Sequence, residues 1–166
     1  MEFARLASLF LAALSVGIMT GVMGLYANTI MPGLRRTDDR TFVGAFQAID
    51  TAIINPLFLT TFLGGLVFTG LAGVLHLSEG FGSVLLWIAV AFVLYLAVVI
   101  ATVTINVPLN DGIKAVGDPD QIDAAEVRSA FNEQRWVRSN LVRSILTLAA
   151  FGCLLWALVE YGRSTV

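Results

Sequence analysis

Charge is missing from four long stretches of this chain, and that restricts the fold more than any other feature. No Asp, Glu, Lys or Arg falls in residues 6–34, 51–78, 80–110 or 144–159, stretches of 29, 28, 31 and 16 residues. A helix in water longer than about 10–14 residues needs a polar face to meet solvent. Three of the stretches exceed the roughly 20 apolar residues that cross a bilayer. With 57% hydrophobic residues and a mean hydropathy of +0.83, the chain reads as an integral membrane protein.

A formal net charge of −2 and a pI of about 5.2 exclude nucleic acid as a partner, because that role needs a basic surface. The single cysteine, Cys153, forbids an intrachain disulfide and a cysteine-based zinc or iron–sulfur site. The single histidine, His76, forbids a bis-histidine haem or a multi-histidine metal centre within one copy. No metal centre is therefore expected. The first apolar run is longer than the roughly 7–15 residues of a signal peptide, so an uncleaved helix is expected there. No long Gly/Ser/Pro linker divides the chain, which reads as one domain over residues 1–166.

The expected fold is all-α: an antiparallel four-helix transmembrane bundle. Its spans cover about residues 6–26, 56–77, 83–105 and 141–161. Two folded connections, about 27–55 and 106–140, carry amphipathic helices and cap one end. Ala13, Gly17 and Gly21 recur at four-residue spacing in the first span. Thr61, Gly65, Thr69 and Gly73 do so in the second. Small residues at that spacing let membrane helices approach closely, which predicts that the first two spans are neighbours. His76 to Gly82 reads as a short hairpin turn with His76 at headgroup level. Arg143 and Glu160 are expected to snorkel to opposite ends of the fourth span.

Eight basic residues (Arg35, Arg36, Arg40, Lys114, Arg128, Arg135, Arg138 and Arg143) belong to the side of the long connections, against Arg5 and Arg163 on the other. The positive-inside rule then puts the connections in the cytoplasm and both termini outside the cell membrane. Within the first connection, Phe42, Phe46, Ile49 and Ile53 share a helical face from which Gln47 and Asp50 are displaced. In the second, Asp118-Pro-Asp-Gln121 reads as a helix start, with no breaker before Phe151. Asn132, Trp136, Asn140, Arg143 and Thr147 would then form one stripe on a continuous helix. Ile30-Met-Pro-Gly-Leu34 and Asn106-Val-Pro-Leu109 echo each other, each leading into an amphipathic segment.

Polar groups gather where connections meet spans: Asn28 and Pro32, Asn55-Pro56, Asn106-Val-Pro-Leu-Asn110, and Trp136 with Asn140 and Arg143. Asparagine and arginine at membrane depth are costly unless satisfied, so they are expected to face inward. Capping, interhelical hydrogen bonding and interfacial anchoring account for each one singly. Their concentration at one end points to a site.

These motifs, in this order, together with Met31-Pro-Gly-Leu34 and Gln47-Ala-Ile-Asp50, resemble the anthrone oxygenase-like family of small four-helix membrane proteins. The resemblance covers nearly the whole chain. It implies oxidation of a lipophilic anthrone to an anthraquinone by molecular oxygen without metal or flavin, although most bacterial relatives have no assigned reaction. Such chemistry needs a base, donors for an enolate oxygen, and apolar walls. Asp50 is the expected base, with Glu133 behind it. Asn106, Asn140 and Arg143 are the expected oxyanion donors. Gln47, Asn55 and Asn110 would bind and orient substrate, and Trp136 would stack on a ring.

The competing reading is a non-catalytic partner subunit or binding module whose polar junctions only stabilise the cap. A carrier is disfavoured, because the middle of the first three spans holds no charge. Expected partners are membrane lipid and a lipophilic small molecule, with a homo-oligomer left open.

Overall fold

The computed structural model describes residues 1–79 and 82–164. Its first helix, α1 (Glu2–Leu25), passes through a π turn (Tyr26–Ile30) into a short α2 (Met31–Leu34). An amphipathic α3 (Asp39–Ile53) comes next, then α4 (Pro56–His76). After it lie α5 (Ser83–Ala101), a second π turn (Thr102–Asn106) and α6 (Val107–Ala115), then α7 (Ala124–Phe131) and the long α8 (Glu133–Ser164). Among the described residues, four helices are long and apolar enough to cross a membrane, and the protein is an all-α integral membrane protein with shorter connecting helices. Residues 80 and 81 of the expected hairpin turn lie outside the described residues.

The chain packs as two compact units. One comprises Met1–Gly21, Pro56–Val98 and Ile145–Val166, and so holds a stretch of each long helix. Its glycines do not pair as their spacing predicts. A Cβ on Gly17 would lie 2.9 Å from Phe151 Cε2, so Gly17 opens α1 to α8. A Cβ on Gly65 would lie 2.6 Å from Tyr95 Cζ, and one on Gly73 3.5 Å from Ile88, so this stripe admits α5. The α1–α4 contact uses Ser15 against Gly64 and Thr61 against Met19 instead. Small-xxx-small spacing marks a close approach without naming the partner, and here two bulky rings occupy the grooves. Tyr95 is fully buried, and its hydroxyl donates to Phe62 O at 3.0 Å.

His76 is buried in this unit rather than standing at a surface. Its Nδ1 lies 2.7 Å from Ala72 O, and its ring meets Tyr161 edge-on. Arg5 donates to Leu75 O at 2.8 Å and to Ser78 Oγ at 2.7 Å, satisfying a carbonyl at the C-terminal end of α4. Glu160 pairs with Arg163 and accepts from Ser83 Oγ.

The other unit comprises Val22–Asn55 and Val99–Ser144. Its core is Met31, Phe42, Val43, Phe46, Ile113, Phe131 and Trp136. Helix α3 starts where Asp38 accepts from Thr41 N at 3.0 Å. Asp50 is not displaced from its buried face; it is buried with Phe42, Val43 and Phe46. The second connection departs further from expectation. Asp118 only closes a local turn onto Asp120 N, and α7 begins six residues after Asp118. There Asp123 accepts from both Ala125 N and Glu126 N at 3.1 Å, a better N-cap than Asp118 provides. The helix is also broken at Asn132, which adopts φ 53°, a left-handed conformation that asparagine tolerates better than most side chains. Asn132 therefore caps α8 instead of riding on it, with Oδ1 accepting from Arg135 N at 3.2 Å.

Candidate functional site

Both π turns have the same local cause. A proline inside a helix lacks an N–H and collides with the carbonyl four residues back. Pro32 and Pro108 each come after a residue whose amide reaches back five residues instead of four: Met31 N–H to Tyr26 O, and Val107 N–H to Thr102 O. The wider turn absorbs the proline without ending the helix, a device frequent at functional positions. Asn140 Nδ2 donates at 3.2 Å to Met23 O, in the turn just before the first π segment.

The second π turn sets Thr102, Asn106, Asn110 and Lys114 at four-residue intervals along a helix of changing pitch. On α8, Trp136, Asn140, Arg143 and Thr147 form a buried stripe. The two rows meet antiparallel. Arg143 Nη1 donates to Thr102 Oγ1 at 3.0 Å. Ser139 Oγ donates to Asn106 Oδ1 at 2.6 Å, and Asn106 Nδ2 to Trp136 O at 3.4 Å. Trp136 Nε1 donates to Asn110 Oδ1 at 2.7 Å. Asn110 Nδ2 then donates to Asp50 Oδ1 at 2.6 Å, and Lys114 Nζ faces Asp50 Oδ2 at 2.8 Å. A continuous polar chain thus runs from ammonium through carboxylate and amide to indole.

Arg143 does not snorkel. It is buried, donates Nη2 to Asn140 Oδ1 at 2.9 Å, and lies 5.8 Å from the Trp136 ring centroid. A buried guanidinium is costly in a membrane unless it is satisfied, and these contacts oppose that cost. Tyr26, the first residue of the first π turn, packs its ring 5.7 Å from Trp136 and lies within electrostatic range of both Asp50 and Arg143.

Asp50, Asn106, Asn110, Trp136, Asn140 and Arg143 therefore come together. Two expected members do not join them. Gln47 donates to Ile113 O at 2.8 Å and Gly117 O at 3.0 Å, tying α3 to the end of α6. Asn55 is exposed at the start of α4, its amide turned back on Ala52 O at 3.0 Å. Asn28 lies in the middle of the first π turn, exposed and bonded to neighbouring Thr29. Glu133, expected behind Asp50, pairs with Arg128 at 3.3 Å and Arg35 at 3.8 Å.

Sequence reasoning missed Lys114, Thr102, Ser139 and Tyr26 as members. The four-residue rhythm from Thr102 through Asn106 and Asn110 to Lys114 was the available signal. An apolar cavity of about 380 Å³ lies next to the cluster's scaffold, lined by Pro108, Leu109, Gly112, Ile113, Val127 and Phe131. Among the described residues, no three His, Cys, Asp or Glu side chains gather as a metal-binding group.

These features define a four-helix integral membrane protein with a buried polar cluster formed where its connecting helices meet its long ones. The chain belongs to the anthrone oxygenase family, whose sequence model matches residues 42–153. That segment holds every member of the cluster except Tyr26. No curated protein and no solved structure matches the chain.

Proposed function

We propose that this protein is a cofactor-independent oxygenase that converts a lipophilic anthrone-type aromatic to the corresponding quinone with molecular oxygen. The observation that carries the reading is the polar chain Lys114–Asp50–Asn110–Trp136, anchored on buried Asp50 and Trp136, beside the buried Arg143–Asn140 pair, within the family-matched segment. The substrate's doubly benzylic methylene is acidic because its anion delocalises onto the ring carbonyl. Asp50 takes that proton. Asn106, Asn140 and Arg143 stabilise the enolate oxygen, and Trp136 stacks on the aromatic plane. The carbanion reduces oxygen and combines with it to a hydroperoxide. Loss of water leaves the new carbonyl, so one oxygen atom enters the product and the other leaves as water. Asn110 holds Asp50 for this step, and Gln47 and Asn55 act at the approach to the site. The connections face the cytoplasm and the termini lie outside.

Oxygen uptake on an anthrone in detergent or nanodiscs tests this reading. Asn140→Ala and Arg143→Ala are each expected to lower it at least tenfold, in line with the loss of one oxyanion donor. Unchanged uptake in both would sink the assignment. One observation favours a second reading, a non-catalytic membrane subunit. Both oxygens of Asp50 are already engaged, as a purely structural tie between α3 and α6 requires. Wild-type protein inert towards anthrones, with Asp50→Asn merely unstable, would favour that reading.

A further inference from the structure

A groove of about 460 Å³ runs between the end of α5 and the first turns of α8. Ala101, Ile105 and Val142 form its apolar part, and Arg135 and Arg138 stand at its polar end beside Asn132 and Gln134. The two arginines are three residues apart, so they share a face of α8. Neither guanidinium has an acid partner among the described residues. Glu133, the nearest acid in the chain, is occupied by Arg35 and Arg128.

The apolar part belongs to segments that cross the membrane, whereas Arg135 and Arg138 precede the apolar run of α8 by one to two turns. Two cations without acid partners, standing just before the apolar run of α8 and beside an apolar trough, complement an anion that carries hydrocarbon. We propose that this groove is a binding site for an anionic phospholipid, with its phosphate between Arg135 and Arg138 and an acyl chain along Ala101, Ile105 and Val142. Arginine suits this role because its planar fork gives a phosphate two parallel hydrogen bonds. The groove wall includes Ser139, whose hydroxyl holds Asn106, so the lipid would lie against the outer side of the polar cluster. The proposal does not depend on the oxygenase reading.

Native mass spectrometry of the full chain, delipidated and titrated with phosphatidylglycerol or phosphatidylcholine, tests it. The expected result is one phosphatidylglycerol retained with roughly tenfold preference, from two basic residues acting on one anionic headgroup. Arg135→Gln with Arg138→Gln should abolish the preference, whereas Arg36→Gln, an exposed cation outside the groove, should keep it. Ala101→Phe should also abolish it by filling the trough while both charges remain. Equal binding of the two lipids, a preference surviving the double substitution, or one lost equally in Arg36→Gln would overturn the site. A preference that survives Ala101→Phe, or that millimolar inorganic phosphate removes, would overturn the acyl trough in favour of simple anion attraction.

Discussion

The two π-turn junctions use one backbone device to deliver different side chains. The first, Tyr26–Ile30, leads into Met31-Pro32 and an apolar segment: Met31 is buried in the core with Phe42 and Phe46. The second, Thr102–Asn106, leads into Val107-Pro108 and carries polar groups into the cluster: Asn106, Asn110 and Lys114. Position for position, Ile30 stands where the second junction has Asn106, and Leu34 where it has Asn110. A proline-compensating π turn is therefore a way to aim residues inward without ending a helix, and it is indifferent to what it aims. One copy builds core and the other builds the polar cluster. Only Tyr26 crosses this division, contributing a phenol from the apolar junction to the polar cluster.

Trp136 touches both junctions, so removing it should have the largest effect. Its ring meets Tyr26 and Phe46, and its N–H holds Asn110. Trp136→Ala is expected to cost about 3–5 kcal/mol of unfolding free energy, read from denaturation in detergent. Trp136→Phe keeps ring contact and strands only Asn110 Oδ1, for about 1–3 kcal/mol. If the two substitutions cost the same, the hydrogen bond to the second junction dominates and the aromatic contact with the first contributes little.

The ion pair sharpens the contrast next. Asp50→Ala leaves Lys114 facing a site without its counter-charge and Asn110 without its acceptor. Lys114 is 30% exposed, so solvent relieves part of the penalty. The expected loss is about 2 kcal/mol, below the roughly 3–5 kcal/mol of a fully buried broken pair. Asp50→Leu combined with Lys114→Met should recover most of it. Failure of that rescue would mean that Asp50 is needed for more than pairing.

Exchanging each proline for alanine tests the device itself. The substitution restores an amide at the position and lets α geometry compete with the π turn. Pro108→Ala then rotates Asn106 and Thr102 away from α8. Oxygen uptake on an anthrone should fall about tenfold, equivalent to about 1.4 kcal/mol in the barrier. Pro32→Ala disturbs only Tyr26 among the cluster's members and should cost roughly threefold or less. Equal losses from both would make the junctions functionally equivalent and erase the division between a copy that builds core and one that builds the polar cluster.

The contrast was partly legible from sequence. The missing charges required four long helices, because a membrane allows no other use for such stretches. The resemblance between Met31-Pro-Gly and Val107-Pro-Leu was visible as well, but not its meaning. Whether a proline ends a helix or is absorbed by a π turn depends on which amide finds which carbonyl, and composition does not record that. Six of the eight expected site residues converge because each is a polar group buried or half-buried between packed helices, where it must find a polar partner. Gln47 and Asn55 do not, because carbonyls near at hand satisfy them first. The break at Asn132 was hidden by the absence of glycine or proline, although asparagine can take a left-handed conformation.

The smallest expected effect concerns the connecting helices beyond the junctions, each opened by an aspartate. Asp123 caps α7 with backbone amides alone, whereas Asp38 accepts both Thr41 N at 3.0 Å and Thr41 Oγ1 at 2.7 Å. The Thr41 hydroxyl first, and its amide second, hold the Asp38 carboxyl below its ordinary value. A group whose folded value is lowered contributes stability above its unfolded value and loses that contribution as pH falls through the folded one. Carboxyl-carbon NMR should therefore find Asp38 titrating below the usual aspartate range, and Thr41→Val should return it part of the way. Protection of the amides in the first turn of α3, taken relative to their intrinsic exchange rates, should decline as pH falls from the ordinary aspartate range down through that lowered value. Because Asp38 is fully exposed, the change should stay local. A shift that also disturbed Asp50 and Lys114 on the same helix pair would show that the cap and the polar cluster are coupled.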